Sequence, residues 1–322
     1  MPDDALRDSD DDVAVSSRPS ESTSPPPSPP PSPSFRPLLT RRSFVVAAGA
    51  VAVAGVAASF AAPVALQRLI APARGMQVTE LFAADGFSVA HRGGSADWPE
   101  MSSFAYQQAV EHGVDALEIS LARTSDGVWF GLHDATLDRT SGTSGFVAAD
   151  HTWKEVTQHL ISARETSDPR QPSRPYLRFT DLLVDFGESH TIFVDPKVVP
   201  PQYFPELVAM MKRVSKPRET FVAKGYCTAG QWPQLAAEQR WKSWGYYYGT
   251  EIEASPDLLT STQSRWTSLG LDFEASADSW SRVHKLGKPV IGHIIPSRTD
   301  ADRVRRLGAQ GLMLSGVTEV LG

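Results

Sequence analysis

A single cysteine, Cys227, occurs in the 322 residues. No intramolecular disulfide can form, so neither the fold nor any export route depends on oxidative folding. In a strand-rich stretch such a cysteine reads as a small buried hydrophobe. A basic surplus is missing too: 31 Lys and Arg stand against 37 Asp and Glu, a net charge of −6. Nucleic-acid binders usually carry a positive field, so that class of partner is set aside. The remaining composition, 41% hydrophobic and 21% charged, is that of a soluble globular protein.

Residues 1–39 lack the apolar content to build a core. An acidic run (Asp8, Asp10, Asp11, Asp12) precedes the Ser/Pro repeat Ser24 to Ser34. This composition predicts a disordered tail with polyproline II character. Residues 40–73 are different. Thr40-Arg41-Arg42-Ser43-Phe44-Val45 leads into a stretch free of charge as far as Leu66. The pattern resembles a twin-arginine export signal, which implies the twin-arginine machinery as a partner. The run exceeds the ~18 apolar residues that suffice to span a bilayer. Two outcomes stay open: cleavage after Ala61 or Ala73, or retention as a membrane anchor through residues 44–66. Both place the folded part outside the cytoplasm, in the cell envelope or beyond it.

From Met76 onward the remaining length suits one TIM barrel, roughly 250 residues. Nine short apolar runs read as strands: Phe87–Ala90, Ala116–Leu121, Val128–Leu132, Thr191–Val194, Thr220–Ala223, Ser243–Tyr247, Leu271–Phe273, Pro289–Ile294 and Gly311–Leu314. Helical stretches alternate with most of them, the α/β signature. One run is surplus for a (β/α)8 barrel. Only a short polar link ending Ser125-Asp126-Gly127 separates Leu121 from Val128. A parallel neighbour needs a crossover of roughly a dozen residues, whereas Asp-Gly signals a hairpin. Val128–Leu132 is therefore expected to run antiparallel, inside an insertion after the second barrel strand at about residues 122–177. The expected domains are the tail 1–39, the signal or anchor 40–73 and the barrel 76–322.

Two histidines, His91 and His133, each close an apolar run, and each is followed by a charged residue, Arg92 and Asp134. Glu118 and Ser120 sit two apart on one strand and so face one side; Asp195 and Lys197 repeat that spacing. Acid/base groups at the ends of separate strands are what the rim of a catalytic barrel carries. His112, His151, His159, His190 and His284 fall in helices or loops and are expected at the surface. Trp98, Trp153 and the segment Trp241 to Tyr248 are expected to pack.

These residues carry a resemblance. His91-Arg92-Gly93, Pro99-Glu100-Met101-Ser102, Glu118-Ile119-Ser120, Thr124-Ser125-Asp126-Gly127, His133-Asp134 and Arg139-Thr140 follow one another within about 50 residues. Their order resembles the glycerophosphodiester phosphodiesterase family, a TIM barrel with a small insertion after its second strand. The family pattern there is His-Arg-Gly, Pro-Glu-Asn-Thr, Glu-x-Asp, Thr-x-Asp-Gly, His-Asp and Arg-Thr, with Glu-x-Lys at a later strand end. The resemblance implies a phosphoric diester hydrolase that releases an alcohol and glycerol phosphate. It implies His91 and His133 as the acid/base pair, and Arg92 and Lys197 as phosphate ligands. It implies a divalent metal, Ca²⁺ or Mg²⁺, on Glu118 and Asp195, with Ser120 and Glu100 as further candidate ligands.

Two departures bear on the metal. Ser120 stands where the family has Asp, and Asp195 replaces a longer Glu. Hard divalent cations favour anionic, oxygen-rich sites, so affinity is expected to fall unless Asp272 or Glu274 compensates. Two alternatives accompany the leading reading. One is phospholipase D-like headgroup cleavage at a membrane surface. The other is a barrel that binds a phosphate or lipid without turnover.

Overall fold

The computed structural model describes residues 75–322. The expected tail 1–39 and the signal or anchor 40–73 lie outside the described residues. Among the described residues, no helix is long and apolar enough to cross a membrane.

Eight parallel strands close into a barrel: β1 (Phe87–Ala90), β2 (Ala116–Arg123), β6 (Thr191–Asp195), β7 (Phe221–Tyr226), β8 (Lys242–Tyr247), β9 (Ser268–Asp272), β10 (Val290–Ile295) and β11 (Gly311–Leu314). β1 pairs with β11 on one side and with β2 on the other, which closes the sheet. The surplus run is β3 (Trp129–Gly131). It lies antiparallel on β2, with Leu121 opposite Gly131 and Arg123 opposite Trp129. Gly127 turns the hairpin at φ 86°, a conformation that strains any side chain. After β3 come two one-turn helices, α3 (Asp138–Ser141) and α4 (Trp153–Val156), and a two-residue ladder of β4 (Leu160–Ile161) with β5 (Arg174–Pro175). Phe130, Leu132, Leu137, Trp153, Ile161 and Tyr176 give this insertion an apolar cluster of its own.

The principal barrel helices are α2 (Ser103–Glu111), α5 (Phe179–Phe186), α6 (Phe204–Met211), α8 (Gln231–Gln239), α11 (Ala277–His284) and α12 (Arg298–Arg306). Ser102 caps α2 by accepting from the Ala105 N–H at 3.1 Å, a contact that typically stabilises a helix by about 1 kcal/mol. Several strand bounds shift by one or two residues, and two shift by three. β7 continues three residues beyond Ala223, through Lys224. β9 (Ser268–Asp272) begins three residues before the expected Leu271. Helix α5 was not anticipated.

The barrel interior follows from the period of two along each strand. At the N-terminal end the inward residues are apolar: Phe87, Val89, Phe193, Val222, Trp244, Ile291 and Met313 pack together. A short helix, α1 (Val78–Ala83), closes this end with Val78 and Leu81. Toward the C-terminal end the same inward rows become polar. Ala116 is followed by Glu118 and Ser120, Phe193 by Asp195, Val222 by Lys224, and Ile291 by His293. This change of character along four of the rows places the chemistry at one rim.

Candidate active site

His91 stands at the end of β1, in a tight turn (His91–Gly93). Arg92 holds φ 51° there, a strained left-handed position for a side chain. Its N–H donates to Glu118 Oε2 at 2.7 Å, which ties the turn to β2. Gly93 is needed because a Cβ at its φ of 79° would lie 3.0 Å from Ala105 Cβ on α2. His133 follows β3. Its Nδ1 lies 2.7 Å from Asp134 Oδ1, and Arg139 Nε donates to Asp134 Oδ2 at 2.7 Å. The insertion thus carries the second histidine to the barrel mouth.

Both histidines line one small cavity of about 40 Å³, together with Arg92, Lys197, Lys224, Tyr246, Tyr248 and His293. Trp244 and Met313 also contribute to its lining. Burial, with the Arg92 and Lys224 charges added, holds the His91 pKa well below its ordinary 6.5. Burial and Arg92 also lower His133, but its bond to Asp134 works in the opposite direction. His293 Nε2 donates to the Tyr247 carbonyl oxygen at 3.0 Å, and burial pushes its pKa down to about 3. Two buried donors of cavity residues, Arg92 Nε and Trp244 Nε1, have no hydrogen-bond partner among the described residues. Unpaired buried donors are costly.

The expected metal ligands take a different arrangement. Lys224 Nζ donates to Glu118 Oε1 at 2.7 Å and to Asp195 Oδ2 at 3.2 Å. Ser120 Oγ donates to the same Glu118 Oε1 at 3.2 Å. Burial alone would raise the Glu118 pKa, but the Lys224 ammonium and its hydrogen bond hold it below the usual range. Burial likewise opposes the charge on Lys224, and the two carboxylates outweigh it and raise its pKa. Glu100, the other candidate ligand, is committed elsewhere. It accepts from Arg139 Nη2 at 2.7 Å and from Arg92 Nη1 at 3.0 Å. Asp272 does not compensate either: it accepts from the Gly249 N–H at 2.6 Å, and Glu274 is exposed.

Lys197 is held loosely by Asp195, at 3.9 Å, and donates to Tyr246 Oη at 2.6 Å. Burial lowers its pKa despite Asp195. Lys224, His293, Trp244, Tyr246 and Tyr248 were not expected at the site. Trp244, Tyr246 and Tyr248 were assigned to packing, yet their i, i+2, i+4 spacing turns all three toward the mouth. His190, expected at the surface, is buried at 1% exposure. The other four, His112, His151, His159 and His284, are partly exposed. Trp98 and Trp153 pack as expected, and Cys227 is fully buried.

A closed parallel barrel with histidines and cations gathered at the C-terminal rim defines a class: (β/α)8-barrel proteins with their polar groups at the face where such barrels carry active sites. Residues 91–316 match the glycerophosphoryl diester phosphodiesterase family, and the chain belongs to that family. Among curated relatives, it is 44% identical over 111 residues to glycerophosphodiester phosphodiesterase 1 of Mus musculus. That match covers 34% of this chain and 33% of the mouse protein, so it spans about a third of each. It is 41% identical over 68 residues to the glycerophosphodiester phosphodiesterase of Caldanaerobacter subterraneus, covering 21% of this chain and 28% of that one. Among solved structures, a putative glycerophosphoryl diester phosphodiesterase from Agrobacterium tumefaciens superposes with a TM-score of 0.61 at 18% identity. The superposition covers 74% of this chain and 96% of that one. An Oleispira antarctica phosphodiesterase, solved with the product sn-glycerol-3-phosphate, gives 0.60 at 14% identity, over 74% and 97% of the two chains. At such identities the structures speak for the fold.

The family is generally dependent on a divalent metal. The residues present here do not fit one. Among the described residues, no group of three or more His, Cys, Asp and Glu side chains is placed to hold an ion. Ca²⁺ takes six to eight oxygens and Mg²⁺ about six, at roughly 2.0–2.6 Å. Glu118 instead faces donors on both oxygens: Lys224 and Ser120 on one, the Arg92 N–H on the other. The expectation of Ca²⁺ or Mg²⁺ on Glu118, Asp195, Ser120 and Glu100 is therefore not met by this arrangement.

Proposed function

We propose that this chain hydrolyses glycerophosphodiesters to an alcohol and glycerol phosphate, with His91 and His133 as the acid/base pair. The observation that supports this most is their placement: the two imidazoles line one cavity together with Arg92 and Lys197. The phosphoryl oxygens meet the Arg92 guanidinium and the Lys197 ammonium, which counter the charge that grows in the transition state. The two histidines divide the proton work. His91, buried and beside Arg92 and Lys224, favours the neutral form and takes the proton from the attacking water. His133, with Asp134 on Nδ1, is the better imidazolium and protonates the departing alkoxide through Nε2. The P–O bond to the alcohol breaks as the bond to the water oxygen forms, and solvent resets both imidazoles.

The test is release of choline from glycerophosphocholine. His91→Ala and His133→Ala are each expected to cut kcat by roughly 10²–10⁴. Wild-type turnover in both variants would remove the acid/base assignment. A wild-type chain that binds sn-glycerol 3-phosphate without any turnover would favour the binding barrel instead.

A lipid diester is the second reading, and one feature favours it. A larger cavity of about 470 Å³ adjoins the mouth, lined by Ala135, Ala148, Val198, Val199, Pro200 and Tyr203. Val198, next to Lys197, is an exposed apolar side chain. Faster turnover of a micellar lysophospholipid than of glycerophosphocholine would select it. Export by the twin-arginine route belongs to the same proposal and rests on Arg41 and Arg42. Substituting both by Lys is expected to leave the protein in the cytoplasm, and unchanged export would refute that route.

A further inference from the structure

We propose that the Lys224 ammonium is the resident cation of this site and takes the place of a divalent metal between Glu118 and Asp195. The inference rests on the phosphodiester reading above and concerns how that reaction is supported.

Position, donor chemistry and charge carry it. The first is position. Lys224 Nζ lies 2.7 Å from Glu118 and 3.2 Å from Asp195, two buried carboxylates. An ion bridging them would need the space Nζ occupies and would face a buried ammonium of like charge. Lys224 itself lines the cavity, so its charge is presented to a ligand there. The second is donor chemistry. Ser120 supplies a hydroxyl that donates to Glu118, and the Arg92 N–H caps the other oxygen. A carboxylate ringed by donors is organised to hold a cationic side chain rather than to share its lone pairs with a metal.

The third is charge. A site with three carboxylates and one divalent ion carries a net charge of −1. Here one carboxylate position is Ser120, and the ion's place is taken by an ammonium, so Glu118, Asp195 and Lys224 also sum to −1. Arg92 and Lys197 add positive charge at the cavity itself, the sign that a phosphodiester monoanion meets. Ser120 and Lys224 are thus two halves of one change. With Asp in place of Ser120 beside Lys224 the site would be too negative, and Ser120 without Lys224 would leave two buried carboxylates uncompensated.

Lys224 also has the rigidity the role requires. Its backbone pairs with Trp244 across β7 and β8, and its side chain is buried at 4% exposure. The Tyr246 ring lies 5.4 Å from Nζ and adds a face that favours a cation.

The test is calorimetric titration of the full chain, stripped with EDTA and dialysed, with Mg²⁺, Ca²⁺ and Mn²⁺ in turn into the millimolar range. No saturable site is expected. A saturable one-to-one site for any of the three would overturn the proposal. A second titration uses sn-glycerol 3-phosphate in EDTA. Wild type is expected to bind it, and Lys224→Met to bind it roughly 10- to 100-fold more weakly, the loss of one charged contact. Equal affinity of a folded Lys224→Met chain would also overturn it. Because Lys224→Met strands two carboxylates, the double variant Glu118→Gln/Lys224→Met keeps the charge balanced and should show the same loss. The metal titration reads binding and not turnover, so it decides the assignment of Lys224 even for a chain that hydrolyses no glycerophosphodiester.

Discussion

His91 and His133 are both pushed toward neutral imidazole, but unequally. His91 falls well below 6.5, while the bond to Asp134 offsets part of the lowering at His133. The productive form, with His91 neutral and His133 protonated, therefore dominates in a window below pH 6.5. Below that window His91 gains a proton and the base is lost; above it His133 loses one and the acid is lost. The expected kcat/KM profile is a bell whose maximum lies on the acid side of 6.5 and which falls through neutrality. A plateau extending above pH 8 would contradict these roles. The histidines and Arg92 were legible in the sequence because each ends a run of apolar residues. Lys224 was not, because a lysine after Phe221-Val222-Ala223 reads as the end of a strand. Its signal was the period of two: Val222, Lys224 and Tyr226 share a face, and that face turned out to be the inside of the barrel.

The β2–β3 hairpin sets His133 against the barrel, and a chain of ion pairs fixes where it stands. Arg139 joins Asp134, Glu165 and Glu100, and Glu100 joins Arg92. The insertion histidine is thereby tied to Arg92, in the turn after β1, through charged side chains. Arg139→Met is expected to lower kcat/KM roughly 10- to 100-fold, since misplacement by about 1 Å can cost that much. It should also shift the basic limb of the pH profile downward, because Asp134 loses its anchor and supports the His133 imidazolium less well. Activity within a factor of two of wild type, with the limb unmoved, would show that the hairpin holds His133 without this chain. The hairpin itself was readable from Asp126-Gly127 and the short spacing. The role of Glu100 was not: an acid after Pro99 suggests a helix start, yet Ser102 is the cap and Glu100 turns to two arginines from distant elements. Helix α5 was masked in the sequence by the Pro/Arg-rich loop that precedes it.

Across the whole barrel, the inward rows run from apolar to charged, so one set of strands supplies both core and site. Closure of β1 on β2 and β11 was implied by eight parallel runs in about 250 residues. The contents of the rim were only half implied, because inward direction emerges only once register is set. Packing of helix α5 against the barrel also buries a histidine, His190, beside Phe186. Burial takes His190 down to about 4, and its Nε2 has no hydrogen-bond partner among the described residues. An imidazole with a depressed folded pKa stabilises the fold above its unfolded value of 6.5. That stability drains away as pH falls toward 4, since the unfolded chain takes up the proton first. The loss for His190 comes to about 3 kcal/mol over that span. Urea unfolding at pH 7 and pH 4.5 should show it, and His190→Gln should flatten the slope by up to about 1.4 kcal/mol per pH unit. An unchanged slope would place the acid sensitivity in other groups.

The most direct measurement is choline release from glycerophosphocholine by the full chain in excess EDTA, beside the His133→Ala chain. Release by the wild type, undiminished by the chelator and lost in the variant, is the predicted result. Release that stops on chelation and returns with added Mg²⁺ or Ca²⁺ would contradict the built-in cation, and release that survives in His133→Ala would contradict the site.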